Sequence, residues 1–106
     1  MYVGRDFDPS DTGESERYTL DFVNDLQPGD SIVAAVWTCE VAARSELPDD
    51  DAASHIIGAA GISGTKVTQR VSGLVPGVTY CLTAIATTST GDAVSLWSHL
   101  ECKEPA

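Results

Sequence analysis

Two histidines, three cysteines and a run of aspartates are the side chains whose types could do chemistry. Neither His55 nor His99 has a carboxylate or thiol at the spacing of a zinc site, so both read as surface or interface histidines. Ser54-His55 and Ser98-His99 are adjacent pairs, but a nucleophile elbow needs Gly-x-Ser-x-Gly between a strand and a helix. "GAAGISG", residues 58–64, lacks the lysine and the preceding strand of a phosphate-binding loop. Cys39, Cys81 and Cys102 are odd in number with no closely spaced pair, which suits reduced thiols in a cytosol. Cys39 and Cys81 could meet as core neighbours, and Cys81 is expected as a small hydrophobe rather than a nucleophile. Asp49, Asp50 and Asp51, with Glu46 nearby, could ligate calcium, yet the EF-hand spacing is missing and a solvated acidic loop is the plainer reading. No nucleophile, base or metal set emerges, so neither an enzyme nor a cofactor is expected.

The elements that would position any site are short strands. "RYTLDFV" alternates from Arg17, with Tyr18, Leu20 and Phe22 on one side. Pro28-Gly29 marks a turn. "SIVAAVWTCEVAA" is a long run rich in β-branched and aromatic types, with Trp37 and Cys39 on one parity. Ile32, Ala34 and Val36 share the other parity, which predicts cover on both faces early in the run. "RSELPDDDAASH" is a loop, and "IIGAAGISG" a short strand and turn. "TKVTQRVSGL" follows as a strand. In "VTYCLTAIATT" Tyr80, Leu82, Ala84 and Ala86 face one way and Cys81, Thr83, Ile85 and Thr87 the other. "STGD" is a hairpin turn, and "AVSLWSHLEC" sets Leu96, Ser98 and Leu100 opposite Trp97 and His99. Turn signals about every ten residues and no evident helix predict an all-β antiparallel sandwich of about seven strands. Residues 1–16 are polar and turn-rich and read as an extended N-terminal arm. Residues 17–103 read as the sandwich. Trp37, Leu82 and Ala84 are expected in its core.

The charge is lopsided. Thirteen of the sixteen acidic residues fall in residues 1–51 with only three bases, so the whole net charge of −10 sits there. Such a chain is repelled by phosphate backbones, and no nucleic-acid partner is expected. The longest uncharged stretch, 71–91, is broken by Gly73, Pro76 and Gly77, so no membrane span is expected either. Partners should be protein surfaces. Tyr2 and Phe7 in the arm, with Ile85 and Trp97 on the face opposite the Tyr80 set, are the candidate interface residues. The two arm aromatics could dock on a neighbour, and Ile85 and Trp97, exposed together, could make an apolar patch unless the arm or a neighbouring strand covers them.

The stretch "GLVPGVTY", residues 73–80, carries the clearest structural signal. Leu74 can plug the end of the core, while Pro76 and Gly77 reverse the chain. Tyr80 can then swing its hydroxyl back to the turn as a structural tyrosine corner. Residues 71–98 resemble the last three strands of a fibronectin type III domain in Leu74, Pro76, Gly77, Tyr80, the alternation after Tyr80 and the Gly91 hairpin. "SIVAAVWT" resembles the strand of that family that carries a buried tryptophan, here Trp37. The resemblance implies an immunoglobulin-like (fibronectin type III-like) sandwich. Gln69 departs from it, standing where an apolar residue is usual, and Tyr80 directly before Cys81 excludes the antibody disulfide pattern.

The layout of the whole chain resembles small proteins encoded among the structural genes of tailed bacteriophages. That resemblance implies a structural virion component of capsid, neck or tail, a decoration or accessory protein working by protein–protein attachment. It implies assembly in the host cytoplasm, with capsid, neck or tail subunits as partners and a homo-oligomer as a further option. A carbohydrate- or cell-surface-binding module is the alternative, and a bacterial adaptor domain with an unrelated partner a third reading.

Overall fold

The computed structural model describes residues 2, 10–11, 15–43, 45 and 47–103. Among them seven strands form: β1 (Ser10–Asp11), β2 (Ser15–Asp21), β3 (Ile32–Val41), β4 (Ile56–Ser63), β5 (Lys66–Ser72), β6 (Thr79–Thr88) and β7 (Ala93–Lys103). They build two sheets, ordered β1-β7-β6-β3 and β2-β5-β4. Pairing is antiparallel except for β1, which runs parallel to β7. The architecture is an all-β sandwich. Among the described residues the only helical element is a 3-10 turn, Ala52–His55, inside the segment expected to be loop.

Side-chain alternation decides which face is inside. Tyr18 and Leu20 of β2, with Phe22 just beyond it, are buried. Val67 and Val71 of β5 join them in the same core. From the other sheet come Trp37 and Cys39, then Tyr80, Leu82, Ala84 and Ala86, then Leu96 and Leu100. Each large apolar side chain buried this way stabilises the fold by about 1.5–3 kcal/mol. Trp37 lies in the core, but its indole Nε1 has no hydrogen-bond partner among the described residues.

Two irregularities bend the pattern. In β3 the register slips between Ile32 and Ala34, so Ile32 turns inward although its parity differs from that of Trp37. Val33 and Val36 stand in solvent, 59% and 61% exposed. The expected double cover of this run is therefore absent: a bulge reassigns one side chain to the core and leaves the others outside. In β4 the ladder passes from the pair Ile57–Arg70 to the pair Gly61–Thr68, leaving residues 58–60 opposite Gln69 alone. Gln69 is 2% exposed, and its Nε2 donates to the carbonyls of Ile57 (2.8 Å), Gly58 (3.2 Å) and Arg70 (3.1 Å). A valine or leucine there would take that donor away. That is why an amide occupies an interior position.

Candidate functional site

The outward face of the four-stranded sheet is built by the other parity of β3, β6 and β7. Its rows are fixed by register: Glu40, Cys81 and His99; Thr38, Thr83 and Trp97; Val36, Ile85 and Ser95. Val36 and Ile85 are directly paired and both exposed, Ile85 by 40%. One row further on, aromatic rings gather. Tyr2 makes a parallel bridge to Trp97, and its ring centroid lies 4.8 Å from that of the indole. His99 stands 5.3 Å from Trp97 and 6.1 Å from Tyr2 by the same measure. Tyr2 and β1 both pair with β7, at Trp97 and at Cys102 and Lys103, and so occupy part of an edge that would otherwise offer unpaired backbone. Of the four candidate interface residues, Tyr2, Trp97 and Ile85 therefore share one sheet, and Phe7 lies outside the described residues.

The end of the sandwich holds a second polar cluster. Val75, Pro76, Gly77 and Val78 make a turn closed by Val78 N–H donating to Val75 O at 3.3 Å. Gly77 has φ +84°, which the second central position of such a turn requires, and an added Cβ would sit 2.7 Å from Leu47 Cδ1. Leu74 is 4% exposed and Tyr80 wholly buried. The Tyr80 hydroxyl accepts from Val75 N–H at 2.8 Å and donates to Asp49 Oδ2 at 2.6 Å. The same carboxylate oxygen accepts from His55 Nε2 at 2.7 Å, and Oδ1 accepts from Asp51 N–H at 3.0 Å. The His55 ring meets Tyr80 edge-on at 5.5 Å.

These bonds set the electrostatics. The Tyr80 hydroxyl, then the His55 imidazole, hold the Asp49 carboxyl below its ordinary value. Burial, then the bond to Asp49, pushes the phenol up. The cluster is thus a carboxylate locked by donors. Two sequence-based expectations give way to this geometry. His55 is buried, not superficial, because the 3-10 turn folds it over the corner. The Asp49 side chain is only 7% exposed, because it closes the corner instead of facing water. Asp49 carried no distinguishing signal in the sequence beyond being one of three adjacent aspartates; its partner is 31 residues away.

None of the three cysteines, Cys39, Cys81 and Cys102, is in a disulfide. Cys39 points into the core and Cys81 to the outward face, so they are not core neighbours: they lie on adjacent strands with opposite parity. Burial, then the nearby negative charge of Asp49, pushes the Cys39 thiol up to about 12. Burial raises Cys81 as well. Thiols shifted upward are poor nucleophiles at neutral pH. Among the described residues no group of three or more His, Cys, Asp or Glu side chains is gathered to hold a metal ion.

A search of curated proteins finds no match to the chain. A family model does match, over residues 10–96: that of the podophage GP4 fiber-tail adaptor protein gp77.

Proposed function

The chain belongs to this podophage fiber-tail adaptor family, and from that premise we propose that it joins a tail fiber to the tail through the outward face of β3, β6 and β7. It is a structural component of a tailed-phage virion, assembled in the host and working by attachment to other virion proteins. The observation that carries the choice of face is the directly paired Val36 and Ile85, both left in solvent beside the aromatic cluster of Tyr2, Trp97 and His99. Apolar side chains in the open with aromatics next to them make the chemistry of an interface centre. A glycan-binding reading needs bare aromatic platforms, whereas the Trp97 ring already carries Tyr2 at 4.8 Å.

Residues 1–16 act as an arm and 17–103 as the sandwich, with the last two arm residues already entering β2. The fold reads as immunoglobulin-like. Its order supports this: β5 pairs with β2 and β4, and β6 with β3 and β7, as strand E pairs with B and D, and F with C and G, in the constant-type arrangement. The Tyr80 corner, with Leu74, Pro76 and Gly77, supports it too.

Phage lacking this gene, complemented with Val36→Asp/Ile85→Asp protein, test the reading. The variant should melt close to the parent, because both sites are exposed. Its particles should lack fibers or lack the adaptor in electron micrographs and gels. Fully fibered, infectious particles carrying the variant would overturn the choice of face.

A further inference from the structure

A sandwich has open sides where its sheets end, and the strands there decide whether more chain can be added. On one side of this molecule the last strands are β3 and β4. No charge falls between Ile32 and Cys39 or between Ile56 and Ser63, and neither strand holds a proline. The other ends of the two sheets differ. β2 carries Glu16, Arg17 and Asp21, and β7 is partly covered by Tyr2 and β1. Charges, prolines and covering segments are what keep an edge from pairing. The β4 edge is broken by its bulge, so β3, regular from Ala34 to Val41, is the edge left open among the described residues.

Register shows which backbone groups of β3 face outward. Ala42 N–H donates to Thr79 O at 2.9 Å. Hydrogen-bonded pairs alternate along an antiparallel ladder, so Glu40, Thr38 and Val36 also turn N–H and C=O toward β6. Ala35, Trp37, Cys39 and Val41 turn theirs away from it. Beside them a crevice of about 260 Å³ opens between β3 and β4, with Ala35, Val36, Trp37, Ile56, Ala60 and Gln69 among its walls. Trp37 is 4% exposed, and its Nε1 is the one buried side-chain nitrogen or oxygen without a partner among the described residues. An indole N–H only donates, and leaving it unpaired in the interior is costly. Whatever enters the crevice is favoured if it brings an oxygen.

We propose that an extended segment of another virion protein adds to the free edge of β3, pairing with the backbone of Ala35, Trp37, Cys39 and Val41 and setting an oxygen against Trp37 Nε1. That the partner is a virion protein rests on the proposed function, and Val36 belongs both to the crevice and to the face assigned there. The segment is apolar at its centre and basic at its ends, because the uncharged run is flanked by Asp30 and Glu40 in a chain of net charge −10. The chain's own arm is engaged elsewhere: Tyr2 and Ser10 both pair with β7, and β6 lies between β7 and β3. A second copy would bring acidic ends against acidic ends, whichever way its β3 ran.

Hydrogen exchange and amide NMR of the full-length chain with the end-blocked peptide Lys-Val-Thr-Val-Thr-Val-Lys test this. The amides of Ala35, Trp37, Cys39 and Val41 should gain about tenfold or more in protection, while those of Val36, Thr38 and Glu40, already bonded to β6, change little. The Trp37 indole N–H signal should move downfield. Ala35→Pro, which removes one outward donor from an edge where proline is tolerated, should weaken binding about threefold or more. The same peptide N-methylated throughout its backbone should not bind. The proposal is overturned by absence of binding at about 1 mM peptide, by an N-methylated peptide that binds as well, or by protection that spares the four outward amides. Protection of those amides in peptide-free protein that fades on dilution would also overturn it, and would assign the edge to a second copy. The two readings fail separately. Peptide failure alongside fiberless Val36→Asp/Ile85→Asp particles removes only the edge, whereas fibered particles remove the choice of face whatever the peptide does.

Discussion

Two buried polar side chains, Tyr80 at the corner and Gln69 beneath the β4 bulge, solve the same problem with different hardware. Each brings hydrogen-bonding groups into the interior to satisfy backbone that has left a regular ladder. Tyr80 meets a turn whose shape Pro76 and Gly77 already impose, and its second partner is a charged carboxylate held by other donors. Gln69 meets carbonyls of an edge strand, next to an open depression. The corner is closed by Tyr80, Asp49 and His55 together; the bulge is held by one amide and borders a depression.

The largest effect should come from the corner. Tyr80→Phe keeps the ring in place but strips Val75 N–H of its acceptor and Asp49 of a donor, which should cost about 2–3 kcal/mol in urea unfolding. A loss under about half a kcal/mol would mean that water replaces the hydroxyl and that the corner is not sealed. Gln69→Leu should cost less, about 1–2 kcal/mol, although it also takes a donor from two β4 carbonyls. Water from the depression can reach β4. If Gln69→Leu proves the costlier of the two, the contrast between sealed corner and open bulge is reversed.

The same contrast explains what could be read in the sequence. Alternation in residues 17–23, 78–88 and 93–102 marks strands, and parity separates Leu82 from Ile85 and Leu100 from Trp97, because a sheet with one buried face forces period two on its sequence. Turn chemistry is local, so Pro76-Gly77 is visible as a reversal. Tertiary closure is not local. Nothing near Asp49 says that a phenol 31 residues on will take its carboxylate, and an acidic run is ordinarily solvated. Gln69 stood out as a polar residue at an interior position, but its purpose needs the three unpaired residues of β4 across from it. The small side chains of Gly58, Ala59, Ala60 and Gly61 impose no period, so the bulge left no trace there.

Gly77→Ala probes the turn beneath the phenol. The positive φ alone should cost about 1 kcal/mol, and the added methyl displaces Leu47, which is 49% exposed and can swing aside. Thermal melts should fall by a few degrees. A change near zero would mean that the turn can rearrange without disturbing Tyr80.

The smallest signal, and the most discriminating, is in pH. Asp49 has its carboxyl held below the ordinary value of 3.8 by Tyr80 and His55, so the unfolded chain binds its proton more readily than the folded one. Its contribution is therefore fully present above the unfolded value and is lost as pH falls through the lower, folded value. Asp49→Asn removes that dependence. The stability gap between parent and Asp49→Asn should be constant from neutral pH down to about 5 and close progressively in more acid solution. Gln69→Leu, which touches no titrating group, should run parallel to the parent over the same range. If the gap closes instead between neutral pH and about 5, the folded-state carboxyl is raised and not depressed, and the donors around Asp49 are not what holds the corner.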